Sequence, residues 1–221
     1  MAEQARAIQT RRTILLAAAK VFEDHGYKAA TISEILAEAG VTKGALYFHF
    51  QSKDDLAQGV LAEQVDSRLM LPDRPSKVQE MVDAVMLHTY RLQNDPLVRA
   101  GVRLSMEQQP GLDRSGPFRQ WAEVGTALLT QAQAQGELLP HVVPSETADV
   151  IVGSFAGIQS MSQSISDYQD LSTRVSALLR HLMPSVTVPS VLASLDISAS
   201  RGATVYAEAF TLAEEQQAVP A

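Results

Sequence analysis

Residues 31–50 read TISEILAEAGVTKGALYFHF, and two helix-start signals separated by one glycine leave this segment few ways to fold. Thr31-Ile-Ser-Glu34 is an S/T-x-x-E capping box, in which the threonine and the glutamate each satisfy the other's backbone N–H. It predicts a short helix ending at Ala39. Gly40-Val41-Thr42 is a tight turn, and Thr42 can cap a second short helix from Lys43 to Phe48. Ahead of them an amphipathic helix is predicted over 9–26, with Ile14, Ala18, Val21 and Phe22 on one stripe and Gly26 as its stop. Behind them Ser52-Lys-Asp-Asp55 opens a longer helix reaching about Leu71, whose stripe begins with Leu56, Val60 and Leu61. Two short helices joined by a glycine turn, backed by a longer one, make a helix-turn-helix.

Apolar spacing stays helical to the C-terminus, with no useful run of strand alternation. Pro72 and Pro75 bound a linker, and Asp95-Pro96 ends a helix. A loop is expected over 109–116, and Gly136 with Pro140 closes a further helix. Pro144, Pro184 and Pro189 punctuate the remainder. The expected fold is all-α, with nine or ten helices and an N-terminal three-helix helix-turn-helix domain over 1–53.

Charge is divided unevenly. Of 18 basic and 25 acidic residues, seven and five lie within residues 1–53, so that segment carries +2 and the remainder −9. A basic end on an acidic body suits a protein whose one end faces phosphates. The chain has no cysteine, which removes disulfides and thiolate metal sites, and it has no run of eighteen apolar residues to span a membrane. A polar N-terminus without an apolar segment behind it fits a cytoplasmic address. The five histidines are scattered and match no metal-binding spacing. Nucleophile-elbow, P-loop and dinucleotide motifs are missing too, so no catalytic residue, metal or cofactor is expected.

The second short helix should carry the chemistry. Leu46 and Phe50 are expected in the core, with Phe48 at least partly so, leaving Lys43, Tyr47 and His49 outward. A lysine at the start of a recognition helix can donate to guanine O6 or N7 in a major groove. Tyr47, His49 and Thr42 can reach phosphates, and Lys53, beside a helix N-terminus, can clamp one. Arg6, Arg11 and Arg12 would add contacts from an N-terminal arm. A helical interaction adaptor, a less favoured rival to a DNA reader, would need no Lys43, no outward Tyr47 and no basic arm.

The stretch TISEILAEAGVTKGALYFHFQSK closely resembles the DNA-binding signature of the TetR family. That resemblance implies a dimeric regulator of a palindromic double-stranded DNA operator. The contacts it implies are Thr42, Lys43, Gly44, Tyr47 and His49, with Lys53 as the clamp; Thr31 completes the expected set. ARAIQTRRTIL, KGALYFHFQSKDDLA, RAGVRLSMEQQ, GPFRQW, GELLPHVV and VGSFAGIQ are similar to the γ-butyrolactone receptor branch of that family. Members of this branch control antibiotic production and differentiation in streptomycetes, and leave DNA when a butyrolactone or butenolide binds. Some are pseudo-receptors that answer to an antibiotic or an intermediate instead. On this reading residues 54–221 form a helical ligand-binding and dimerisation domain.

Candidate ligand residues follow from spacing as well. Gln64 shares a face with Leu56 and Val60, where a buried amide would need a partner such as a lactone oxygen, backbone or water. Trp121, the only tryptophan, offers a large apolar face and one N–H. It could be plain core, but the resemblance places the branch's pocket tryptophan here. Ile151, Phe155, Ile158, Ser162 and Ile165 form a stripe with Gln159 beside it, and Phe155, Ile158 and Gln159 join the candidates. Leu104 and Met106 could be pocket or core. Gly153 and Gly157 imply a close approach by a ligand or a neighbouring helix. The dimer interface is expected over 145–166 and 170–183.

Overall fold

A computed structural model of the chain describes residues 2–63, 71–106 and 115–218. They form α1 (Ala2–Ala29), α2 (Ile32–Ala39), α3 (Lys43–His49), α4 (Lys53–Glu63), α5 (Lys77–Asn94), α6 (Pro96–Met106), α7 (Ser115–Ala134), α8 (Pro144–Ser166), α9 (Leu171–Leu182), α10 (Pro189–Leu192) and α11 (Arg201–Ala218). The eleven exceed the expected nine or ten partly because α10 is a single turn, too short to show a period. Extended pairing among the described residues amounts to one antiparallel bridge, Leu138 with Thr187. None of the described helices is long and apolar enough to cross a membrane.

Contacts divide the chain into two compact units, residues 1–67 with 95–117, and residues 68–94 with 118–221. The division does not fall after residue 53, because α4 and α6 pack on α1. Leu56, Val60, Leu97, Ala100 and Leu104 join Ile14, Ala18, Phe22, Ile35, Leu46 and Phe50 in one buried cluster. Arg99 and Arg103 of α6 bind Glu23 of α1, through its carboxylate at 2.6 Å and its carbonyl respectively. The helical stripe of α1 is buried as expected, but the helix begins at Ala2, well before residue 9. Its opening run of alanine, glutamate, glutamine and arginine consists of strong helix formers. At Gly26 the backbone leaves the helix, with φ 74° and ψ 167°, which is the stop that residue suggested.

In the second unit α5 is the central helix, flanked by α9 and α11. The α5–α11 contact is close: a Cβ on Gly202 would lie 2.3 Å from the Met86 carbonyl oxygen, so no larger residue fits there. Asp83 of α5 is fully buried and accepts from Arg74 Nε, Arg201 Nε, Arg201 Nη2 and Gln79 Nε2, all at 2.7 Å. Burial alone would raise its carboxyl, but the bonds from Arg201, Gln79 and Arg74 outweigh that and hold it below the ordinary aspartate value. Glu137, also buried, accepts from the backbone N–H groups of Lys77 (3.2 Å) and Val78 (2.9 Å) and from Ser76 Oγ (3.2 Å). It therefore caps the first turn of α5 from 59 residues away. Its own strand of chain is pinned by Val188 N–H donating to the Glu137 carbonyl at 3.0 Å.

Candidate nucleic-acid interface and ligand chamber

The reading head is built from three caps. Thr31 accepts from Glu34 N–H at 3.2 Å, while its own N–H and hydroxyl both donate to the Glu34 carboxylate at 2.8 Å. Thr42 accepts from Ala45 N–H at 3.3 Å and so starts α3, and Ser52 accepts from Asp55 N–H at 3.1 Å to start α4. Gly40 adopts the left-handed conformation, φ 63°, that turns α2 toward α3. Leu46 is the one buried residue of α3, and Phe50 anchors its far end.

The rest of α3 turns outward. Lys43 and Gly44 are exposed, with the Lys43 ammonium 5.8 Å from the centroid of the exposed Tyr47 ring. Phe48 departs from expectation: it is 80% exposed, because Leu46 and Phe50 already fill the core side of a helix only seven residues long. Its ring lies 5.0 Å from that of the half-buried His49, edge to face. An exposed apolar ring on this helix suits contact with a thymine methyl group, a feature the sequence pattern alone did not separate from core.

The remaining basic candidates are placed differently from the sequence expectation. Arg6, Arg11 and Arg12 are exposed on α1 itself, not on an extended arm, because α1 starts so early. Arg11 lies over the Phe50 ring at 5.1 Å. Lys53 is half-buried and donates to the carbonyls of Ala30 (2.6 Å) and Lys28 (3.3 Å), with the Tyr27 ring 4.5 Å beneath it. An ammonium has three donors, and two of them secure the α1–α2 joint. Tyr27 reaches across to Asp54, and burial followed by that hydrogen bond pushes its hydroxyl up to about 12.

Within the second unit Trp121 of α7, Phe155 of α8 and His88 of α5 converge. The His88 ring lies 4.8 Å from Trp121 and 5.4 Å from Phe155, both tilted. Trp121 Nε1 and His88 Nδ1 are buried without hydrogen-bond partners, a costly arrangement in an apolar surround. One turn beyond Phe155, Gln159 is also buried, while Ile158 is half-buried. Leu104 is fully buried in the core of the first unit, and Met106 is 46% exposed at the end of α6. Gln64 lies outside the described residues. Ile165 is 64% exposed, because the 3.6-residue period carries it round to the side of Val150 and Met161. A separate cleft of 240 Å³, lined by Met86, Thr89, Tyr90, Gln93 and Ser172 among others, holds none of the expected ligand residues.

His88 was visible in the sequence only as one scattered histidine, although it falls on the buried face of α5 with Met81 and Ala84. Burial, with a smaller contribution from Arg91, pushes its imidazole down to about 3. The unfolded chain takes up this proton near 6.5 and the folded chain only near 3, so the group's contribution is whole above pH 6.5 and is lost as pH falls toward 3. Between pH 7 and pH 5, urea titrations should show a loss of about 2 kcal/mol from this group. A His88→Gln variant should lose correspondingly less over the same interval; an equal loss would refute this assignment.

The profile for "Bacterial regulatory proteins, tetR family" matches residues 14–60, which span the three caps. The chain is 43% identical to the A-factor receptor protein of Streptomyces griseus over 197 residues, 88% of this chain and 70% of the relative. The chain belongs to the TetR family. Another member, the full-length TetR regulator TylP of Streptomyces fradiae, superimposes with a TM-score of 0.86 at 48% identity, over 92% of this chain and 99% of that one. A γ-butyrolactone receptor (ArpA-like protein) follows with a TM-score of 0.68 at 29% identity, over 95% and 99%. This TetR-family chain is thus a DNA-binding transcriptional regulator, not an enzyme, and the proteins it is similar to include a γ-butyrolactone receptor.

Proposed function

We propose that this TetR-family regulator is a homodimeric repressor that grips a palindromic operator through two copies of α3 and releases it when a γ-butyrolactone-type ligand binds beside Trp121. The carrying observation is the outward face of α3: Lys43, Gly44, Tyr47 and Phe48 are all exposed on a helix whose one buried residue is Leu46. Lys43 is the base-reading donor, while Thr42, Tyr47 and His49 meet phosphates or sugars. Arg6, Arg11 and Arg12 add charge, and Lys53 acts mainly by fixing the α1–α2 joint. Thr31 acts through its cap.

A two-fold partner is needed because two recognition helices must reach successive major grooves, roughly 34 Å apart. Supporting a face for it, Val150, Gly153, Gly157, Met161 and Ile165 share an exposed side of α8, and among the described residues no other element would come within 4 Å of a Cβ on either glycine. The relatives' names support the ligand class, and the two unpartnered nitrogens of Trp121 and His88 support its place. Release requires that the ligand prefer a dimer with wrongly spaced heads; moving a balance of 1:99 to 99:1 needs about 10⁴-fold preference.

A gel shift on the regulator's own upstream region tests the reading. The wild type should bind and be released by a γ-butyrolactone, and Lys43→Ala should bind roughly 10- to 100-fold more weakly. Unchanged binding by Lys43→Ala would remove α3 as the reader. Release by an antibiotic intermediate, but by no lactone, would move the chain to the pseudo-receptors.

A further inference from the structure

We propose that His88 and Trp121 together hold a single hydroxyl oxygen of the ligand, making His88 the residue that selects hydroxylated lactones over their deoxy counterparts. The inference rests on the lactone reading above and adds to it the polar group that the site demands. Three helices of one unit supply it: α5 brings His88, α7 brings Trp121 and α8 closes the cluster with Phe155. His88 is 8% exposed, and its Nδ1 and the Trp121 Nε1 are the two buried side-chain nitrogens left without a partner among the described residues.

Their chemistry narrows what can satisfy both. Indole Nε1–H only donates, so the ligand must present an acceptor to Trp121. The imidazole is held neutral by burial, and its Nδ1 donates in one tautomer and accepts in the other. A carbonyl oxygen could serve both nitrogens only if Nδ1 carries the proton. A hydroxyl serves in either case: it accepts from Trp121, and it either accepts from Nδ1–H or donates to a bare Nδ1. The two nitrogens belong to neighbouring rings, their centroids 4.8 Å apart, and both are buried. Replacing that hydroxyl by hydrogen leaves two buried nitrogens unpaired, and a site built this way discriminates strongly against such an analogue.

Trp121 is the only tryptophan, so its fluorescence reports binding at this place without reference to DNA. The experiment titrates the full-length protein with a γ-butyrolactone carrying a free side-chain hydroxyl and with its deoxy analogue, in wild type, His88→Leu and His88→Asn. Asparagine keeps a polar atom near the position of Nδ1; leucine removes it. The wild type should bind the hydroxylated lactone at least about tenfold more tightly, His88→Asn should keep most of that preference, and His88→Leu should bind the two alike. Preference that survives in His88→Leu, or a wild type that binds both lactones equally, would overturn the role of His88 while leaving the lactone reading intact. If neither compound binds the wild type while the operator still does, the lactone reading falls, and this inference with it.

Discussion

Asp83→Ala should destabilise the protein by about 3–5 kcal/mol, the range for removing one partner of a buried ion pair and stranding the other. Here the groups that lose their buried partner are two guanidinium ions, Arg74 and Arg201, which Asp83 binds from a position with no solvent exposure. Each keeps a second carboxylate, Glu208 and Asp196 respectively, which places the loss at the lower end of that range. A loss of this size is a large share of the 5–15 kcal/mol typical of a domain. It falls where α11 meets α5, since Arg201 opens α11 and Gly202 presses on Met86. Urea unfolding followed by circular dichroism is the measurement, with Asp83→Asn as the milder comparison that keeps acceptor capacity without charge. A loss under about 1 kcal/mol in Asp83→Ala would mean that the network is not what holds α11.

Leu46→Ala is the counterpart in the reading head, and its expected result is loss of operator binding with every outward side chain intact. Truncating a fully buried leucine costs about 2–5 kcal/mol. In α3 no other residue is buried to share it. A seven-residue helix has no independent stability, so it stays formed only while docked. Gel shifts should show binding lost at 25 °C and partly recovered on cooling to 10 °C, where the docked form regains population. Full-strength binding at 25 °C would show that α3 is held by something other than Leu46.

What could be read from the sequence was what neighbours within four residues decide. Thr31 with Glu34, Thr42 with Ala45 and Ser52 with Asp55 are local bonds, and each appears where the spacing put it. The stripe of α1 and the anchors Leu46 and Phe50 were legible for the same reason. Phe48 was not, because two turns of helix hold too few residues for periodicity to separate a third large apolar group from the core. Partners far along the chain left no local mark. Lys53 meets carbonyls 23 and 25 residues earlier, and the Arg201 that meets Asp83 stands 118 residues later. His88 meets rings on two other helices. Family resemblance supplied Trp121, but the histidine against it came only from the fold.

Glu137 has a consequence for how the second unit comes together. Bringing it to Val78 closes a loop of 59 residues, an entropic cost on the order of 4 kcal/mol. Three hydrogen bonds to a charged acceptor, at about 1.5–3 kcal/mol each, offset that with little to spare once burial of the carboxylate is included. Leu138 paired with Thr187, and Val188 N–H on the Glu137 carbonyl, hold Glu137 from its C-terminal side without shortening the loop back to Val78. Ser76 provides a local start through Gln79 N–H, but the amides of Lys77 and Val78 wait for distant residues. The first turn of α5, the helix that carries both Asp83 and His88, is thus completed by a residue far along the chain, and its final register belongs to the assembled unit.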